Sequence, residues 1–214
     1  MSRSLPPNAL PSAAGKGGFS TTKTARVGVL CLQGDFAEHL ETLRGIGAEG
    51  IDVRRPEQLD DVDALIIPGG ESTTIGKLAE RYGFIPKLRA RIAEGMPVWG
   101  TCAGAIFLAK DVPGHPHPIL SAMDISVERN AFGRQQDSFE ADIDVRDIGG
   151  APYHAVFIRA PKITKTASDV ETIAALDDGT VVAARQGNLL ATSFHPELTP
   201  DDRFHRYFLS LGTK

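Results

Sequence analysis

Pro97-Val98-Trp99 runs without a break into Gly100-Thr101-Cys102-Ala103-Gly104, and the reading of that join decides the fold. A short apolar strand that gives way to a helix through paired glycines matches the nucleophile-elbow pattern G-x-S-x-G, with sulfur in place of oxygen. The spacing has a geometric reason. A sharp strand-to-helix turn pushes the central side chain up and out, and flanking glycines let the backbone bend without Cβ clashes. A helix N-terminus beneath such a residue favours a nucleophilic thiolate. Cys102 is therefore the candidate nucleophile, whereas Cys31, inside an apolar strand, reads as a small core residue.

Working outward, the same strand-helix unit recurs. Val27-Gly-Val-Leu-Cys-Leu32 is an apolar run followed by a turn at Gln33-Gly34 and a helical pattern through Phe36, Leu40, Leu43 and Ile46. Val53-Arg54-Arg55 reads as a short extended piece. Ala64-Leu-Ile-Ile67 is a buried strand closed by Pro68-Gly69-Gly70, with helices from Ser72 towards Tyr82 and from Ile85 to Glu94. Continuous apolar strands alternating with helices predict an α/β, three-layer domain: a mostly parallel central sheet with helices on both faces. In the second half, Ile125–Glu128, Phe139–Val145, Ala155–Ile158, Thr180–Arg185 and Leu189–Phe194 read as short strands, with a hairpin turn at Arg185-Gln-Gly-Asn188. They complete the sheet and add antiparallel strands, and only Asp201–Leu211 reads there as a clear helix.

Residues 1–24 stand apart as an acid-free, Pro-, Gly- and Ser-punctuated extension with little to bury, expected to be flexible. Arg3 is its one arginine and it has no amphipathic period, so a plain extension is favoured over a transit peptide. Residues 25–214 form one domain, as expected for 214 residues in all. With 42% hydrophobic and 23% charged residues and a net charge of −4, the chain has the composition of a globular domain, without the basic footprint of a nucleic-acid binder. No apolar run approaches a membrane span, and two distant cysteines build no disulfide framework, which points to the cytoplasm.

A thiolate nucleophile needs a base that also protonates the leaving group. His195 ends the strand Leu189–Phe194, and Pro196 holds it extended, so that Glu197, two residues on, shares its face and orients the imidazole. The set Cys102, His195 and Glu197 follows. Gly70, in the loop that opens the helix at Ser72, and Ala103, the residue after the nucleophile, offer backbone N–H groups to a developing oxyanion. Glu71 and Ser72 also read as helix-capping residues. His115-Pro-His117 lacks a cluster to complete a metal site and reads as a surface loop, while His39, His154 and His205 carry no partner pattern. Neither a metal nor a cofactor is called for.

Three of these stretches, Pro68-Gly-Gly-Glu-Ser-Thr-Thr74, Gly100-Thr-Cys-Ala-Gly104 and Ser193-Phe-His-Pro-Glu197, together resemble the triad-type class I glutamine amidotransferases, in that family's order. More narrowly, Leu32-Gln-Gly34, Arg55-Pro-Glu-Gln-Leu59, Val127-Glu-Arg-Asn130, Phe132-Gly-Arg-Gln135, Asp137-Ser-Phe-Glu-Ala141 and Phe157-Ile-Arg-Ala-Pro161 are similar to the glutaminase subunits of pyridoxal 5'-phosphate synthases. The resemblance covers residue 26 to the C-terminus. It implies Cys102 as nucleophile, His195 as acid/base, Glu197 as its orienter, and Gly70, Glu71, Ser72, Arg129, Ile158 and Arg159 as a pocket for L-glutamine. It also implies a separate synthase subunit as partner, which receives the ammonia. Arg129 suits the substrate carboxylate; backbone carbonyls or Glu71 could meet the ammonium, and the sequence does not choose. Gln33, in the first turn, is a candidate contact at the same mouth.

Two other readings keep the same residues. A different cysteine-elbow hydrolase, such as a peptidase or another amidotransferase subunit, would retain the triad and change pocket and partner. A non-catalytic binding module on this fold would have lost the nucleophile or the histidine, and here both are present.

Overall fold

The computed structural model describes residues 24–115, 119–129, 131–132 and 138–211. The predicted extension over residues 1–24 thus lies outside the described residues except for Thr24, as do His117 and part of the motif region around residues 130–137.

The strands are β1 (Arg26–Leu30), β2 (Glu49–Val53), β3 (Ala64–Ile67), β4 (Val98–Thr101), β5 (Ala109–Asp111), β6 (Met123–Glu128), β7 (Ser138–Ile143), β8 (Tyr153–Ile158), β9 (Lys162–Thr166), β10 (Glu171–Ala175), β11 (Val181–Gln186) and β12 (Leu189–Thr192). The helices are α1 (Phe36–Gly45), α2 (Ser72–Arg81), α3 (Phe84–Ala93), α4 (Ala103–Leu108) and α5 (Arg203–Leu211), with 3-10 turns at Pro56–Asp61 and Pro196–Leu198. One ten-stranded sheet runs β2-β1-β3-β4-β12-β11-β9-β6-β5, with β10 alongside β11. Its first half, β2 to β12, is parallel throughout, and β12-β11-β9-β6 is antiparallel.

Alternation along the inner parallel strands β1, β3, β4 and β12 builds two cores, which is why most of their residues are apolar. Leu65, Ile67, Val98, Leu189 and Ala191 face the core beneath α2, α3 and α4 with Ile75, Phe84, Leu88 and Phe107. Val27, Val29, Ile66, Trp99 and Leu190 face the opposite core with Leu43 of α1 and Phe204 and Phe208 of α5. The expected three-layer α/β domain is therefore the observed one. Helix α4 sits hard on β3: a Cβ at Gly104 would stand 2.0 Å from the Ile67 carbonyl oxygen. The second glycine of the elbow is thus required by packing as well as by the bend.

The differences from expectation have local causes. The second strand covers Glu49–Val53 rather than Val53-Arg54-Arg55, because the Arg54 and Arg55 N–H groups donate to Gln58 Oε1 (2.9 Å each) and Pro56 opens a 3-10 turn. Phe139–Val145 and Ala155–Ile158 do not extend the main sheet. They form the separate antiparallel pair β7-β8, with Phe139 stacked on Phe157 at 4.4 Å, and Val145 makes only an isolated bridge to Ala174. Strands β5, β9 and β10 were not legible: β5 has three residues, and Lys162–Thr166 is mostly polar and exposed.

Candidate active site

Strand β4 delivers Cys102 to the carboxyl edge of the parallel sheet, where ligands sit in open α/β folds. The elbow is strained as expected: Cys102 has φ 46° and ψ −104°, a rare backbone for a residue with a Cβ, held by its N–H donating to Thr192 O at 2.8 Å. Neighbouring β12 feeds the segment that carries His195, whose own N–H donates to Val156 O of β8 at 2.8 Å.

Contrary to expectation, the His-Pro-Glu segment is not extended. His195 (φ −107°, ψ 86°) precedes the 3-10 turn Pro196–Leu198, and Leu198 N–H donates to His195 O at 3.2 Å. The residue before proline still avoids the helical region. The turn, rather than an extended face, folds Glu197 back beneath the ring, where His195 Nδ1 and Glu197 Oε1 are 2.7 Å apart. Cys102 lines the same cleft as this imidazole and favours its charged form. Burial opposes charge on His195, but the contacts to Cys102 and Glu197 outweigh it and raise its pKa to about 10. Burial pushes the Glu197 carboxyl above its usual value, and the His195 contact offsets part of that rise.

A cleft of about 430 Å³ opens over Cys102. Gly70, Glu71, Ser72, Ala103, Arg129, Ile158, Arg159 and His195 all line it, so every expected site residue reaches it except Glu197, which lies behind His195. Gly70 has φ 149°, and a Cβ there would stand 2.5 Å from Gln33 Oε1, so only glycine fits. That Gln33 oxygen accepts from Glu71 N–H at 2.6 Å and ties the first turn to the loop ahead of α2, which gives Gln33 a definite place at the mouth.

Glu71 does cap α2, its carboxylate accepting from Thr73 N–H at 3.0 Å and Thr74 N–H at 2.8 Å. Slight burial works against its charge, but these hydrogen bonds outweigh it and hold the pKa near 2. The same carboxylate lies 3.3 Å from Arg129 Nη2, and Arg129 Nη1 is 3.1 Å from His115 Nδ1. The Cys102 Sγ lies 3.8 Å from the Ile158 carbonyl oxygen.

The remaining expectations sort simply. Cys31 is buried, its thiol donating to Val29 O at 3.2 Å. Burial first, and then the nearby Asp52 charge, push that thiol up to about 11. His154 is exposed on the β7-β8 hairpin between Asp142 and Glu140, away from the cleft. Asp35, His195 and Glu197 bring donor atoms within 4.8 Å of one another, but the His195 nitrogen involved is the one committed to Glu197. Asp35, Ile106 and Leu198 also line the cleft and carried no sequence signal.

Comparison with known proteins agrees with this geometry. The family model described as the SNO glutamine amidotransferase family matches residues 29–213. A pyridoxal 5'-phosphate synthase subunit PdxT from Herpetosiphon aurantiacus is 60% identical over 188 residues, 86% of this chain and 99% of the relative. A protein of the same name from a Roseiflexus species is 59% identical, over 86% of this chain and 99% of its own. A crystal structure of a glutamine amidotransferase superimposes with TM-score 0.84 at 53% identity, covering 88% of this chain and 99% of that one. A match that spans the elbow, the loop before α2 and the His-Pro-Glu turn within one sheet leaves no part of the cleft outside it, and the chain belongs to the SNO glutamine amidotransferase family.

Proposed function

We propose that this chain hydrolyses L-glutamine to L-glutamate and ammonia, and that it is the glutaminase subunit of a pyridoxal 5'-phosphate synthase, passing ammonia to a separate synthase subunit. One observation carries the chemistry: Cys102 and His195 line one cleft together with Arg129, and Glu197 Oε1 stands 2.7 Å from His195 Nδ1, behind the ring. The names of the relatives support the destination of the product.

In this reading Cys102 Sγ attacks the side-chain carboxamide carbon. The carbonyl oxygen takes the negative charge, and the amides of Gly70 and Ala103 stabilise it. His195 gives its proton to the departing nitrogen, which leaves as ammonia, and a γ-glutamyl thioester remains. Water then loses a proton to His195 as it attacks the thioester, and glutamate and the free thiol are released. Ser72, Ile158 and Arg159 shape the pocket, and Glu71 serves the substrate ammonium only as far as its capping bonds allow. Every step uses side chains and backbone amides of the chain. No described helix is long and apolar enough to cross a membrane, and two free, buried cysteines fit a reducing cytoplasm.

A peptidase with the same triad needs room for chain on both sides of the scissile bond, whereas the Arg129 and Glu71 side chains of this cleft, 3.3 Å apart, offer opposite charges that suit a single amino acid. The test measures ammonia release from glutamine and asparagine and amide-bond cleavage of a short peptide, with and without the synthase subunit. Glutamine alone should be cleaved, and the synthase subunit should raise kcat several-fold, because oxyanion contacts act in the transition state. Equal cleavage of the peptide would refute the assignment.

Arg129→Ala is expected to raise KM for glutamine roughly 10- to 100-fold with kcat little changed, as for a charge-assisted hydrogen bond of about 1.5–3 kcal/mol made equally in ground and transition states. The Arg129–Glu71 pair it breaks is half exposed and contributes little to stability. An unchanged KM would place the carboxylate elsewhere.

A further inference from the structure

Behind the triad lies a second, fully buried line of polar groups that the mechanism above does not use. His39 of α1 and His205 of α5 are both 0% exposed. His39 Nδ1 is 2.9 Å from His205 Nε2, and His39 Nε2 is 3.3 Å from Glu197 Oε2 and 3.4 Å from Thr101 Oγ1. Trp99 packs edge-on against both rings. Glu197 Oε2 is buried and forms no complete hydrogen bond of its own, and the same holds for His205 Nδ1 among the described residues.

The geometry points to His39 as a positioning residue of the catalytic triad: its Nε2–H, set in one tautomer by His205, steers the far oxygen of Glu197 and keeps the near oxygen aimed at His195. This rests on the hydrolytic reading of Cys102 and His195.

The tautomer follows from counting protons. Burial first, and then the neighbouring His205 and His195, hold His39 well below the usual histidine range, and burial lowers His205 to about 4. Both rings are neutral and carry one N–H each. If His205 Nε2–H donates to His39 Nδ1, then His39 Nε2–H faces Glu197 and Thr101, and only the His205 Nδ1 lone pair goes without a partner. If instead His39 Nδ1–H donates to His205, a bare His39 nitrogen faces a carboxylate oxygen at 3.3 Å, and a buried His205 N–H has no acceptor. An orphaned donor is the costlier fault. The 3.3 Å contact is poorly aligned, and Nε2 meets the Thr101 hydroxyl as well, at 3.4 Å; catalytic hydrogen bonds are often misaligned before substrate binds.

Several other groups act on this line. Asp35, just ahead of α1, is 3.6 Å from His195 Nδ1. Tyr153 of β8 feels the Glu197 charge, and Asp202, just ahead of α5, acts on His205. None of them supplies the missing donor to Glu197 Oε2. Withdrawing the His39 donor frees the far oxygen of Glu197, so the near oxygen is held less firmly 2.7 Å from His195 Nδ1. A weaker contact to Glu197 then lets the His195 imidazolium lose its proton at lower pH.

The test compares His39→Asn with His39→Gln in the full chain. Asparagine reaches only the Nδ1 position and keeps the contact to His205, while glutamine places an amide N–H near the Nε2 position. His39→Asn is expected to lower kcat at least about tenfold, with KM unchanged, and to move the basic limb of the pH profile to lower pH. His39→Gln should restore most of the rate and the wild-type limb. The titration of the His195 imidazole, followed by NMR without substrate, should shift in parallel. That titration needs no glutamine, so it tests His39 even if the glutaminase reading fails. Nitrogen-15 shifts of the unmutated chain should show His39 protonated on Nε2, whatever the variants' stability. Protonation on Nδ1, with His39 accepting a proton from Glu197, would overturn the inference, as would Asn and Gln variants with the same rate and the same limb.

Discussion

Cys102→Ala is expected to abolish glutamine hydrolysis, down to the uncatalysed background, in a chain that keeps its fold. The catalytic loss is total because the thioester bond requires sulfur, and no other thiol can reach the cleft. Cys31 belongs to the opposite core, where its burial and its raised pKa, about 11, leave almost no thiolate at neutral pH. The structural change is small for two reasons. Alanine removes one buried atom from a position already 7% exposed, which costs about 1 kcal/mol. The strained φ of 46° is imposed by β4, α4 and the Thr192 hydrogen bond rather than by the side chain, so alanine inherits it unchanged. The measurements are ammonia release, circular dichroism, and peptide mapping after a glutamine-like electrophile. Label on Cys102 alone in the parent and on no residue in the variant is the expected result. Label persisting in the variant would move the nucleophile elsewhere.

The elbow was readable in the sequence because its chemistry is local. Gly100, Cys102 and Gly104 are fixed by one bend, and that bend shows in five consecutive residues. The pairing of His195 with Glu197 was readable for a reason the structure corrects. A spacing of two suits an extended strand, yet the contact is made by a 3-10 turn that proline starts. His39 and His205 were not readable at all. They are 166 residues apart, and each sits on the buried face of its helix, at a position that the pattern of burial alone would fill with an apolar residue. Only the meeting of their side chains beside Trp99 gives them meaning. The polar strand β9 escaped for the opposite reason. Pairing between antiparallel neighbours, and not burial of its own side chains, holds it in the sheet.

His195→Ala is expected to cost on the order of 10⁴-fold in kcat/KM, and Glu197→Gln at least about tenfold less than that. His195 moves a proton in both half-reactions, to the leaving nitrogen and from the attacking water, so its removal penalises each. Glu197 touches neither substrate nor water and acts by holding the ring 2.7 Å away and by favouring its charged form. The amide at position 197 keeps the shape and loses the charge. Without that charge the His195 pKa falls from about 10 towards the ordinary histidine value. Activity should therefore be lost at a lower pH than in the parent on the alkaline side, and the His195 titration followed by NMR should move with it. The amide also meets a conflict at its other end. If its oxygen accepts from His195, its NH2 group faces the His39 Nε2–H 3.3 Å away, donor against donor. Relief requires His39 to move its proton to Nδ1 and leaves the buried His205 Nδ1–H without an acceptor. Glu197→Gln should accordingly lower the melting temperature as well as the rate, because a buried orphan donor costs about 1–3 kcal/mol. Combining it with His39→Gln, whose amide can turn its oxygen towards position 197, should recover part of that stability without restoring the alkaline limb. Strictly additive losses in the double variant would show that positions 39 and 197 do not share a hydrogen bond.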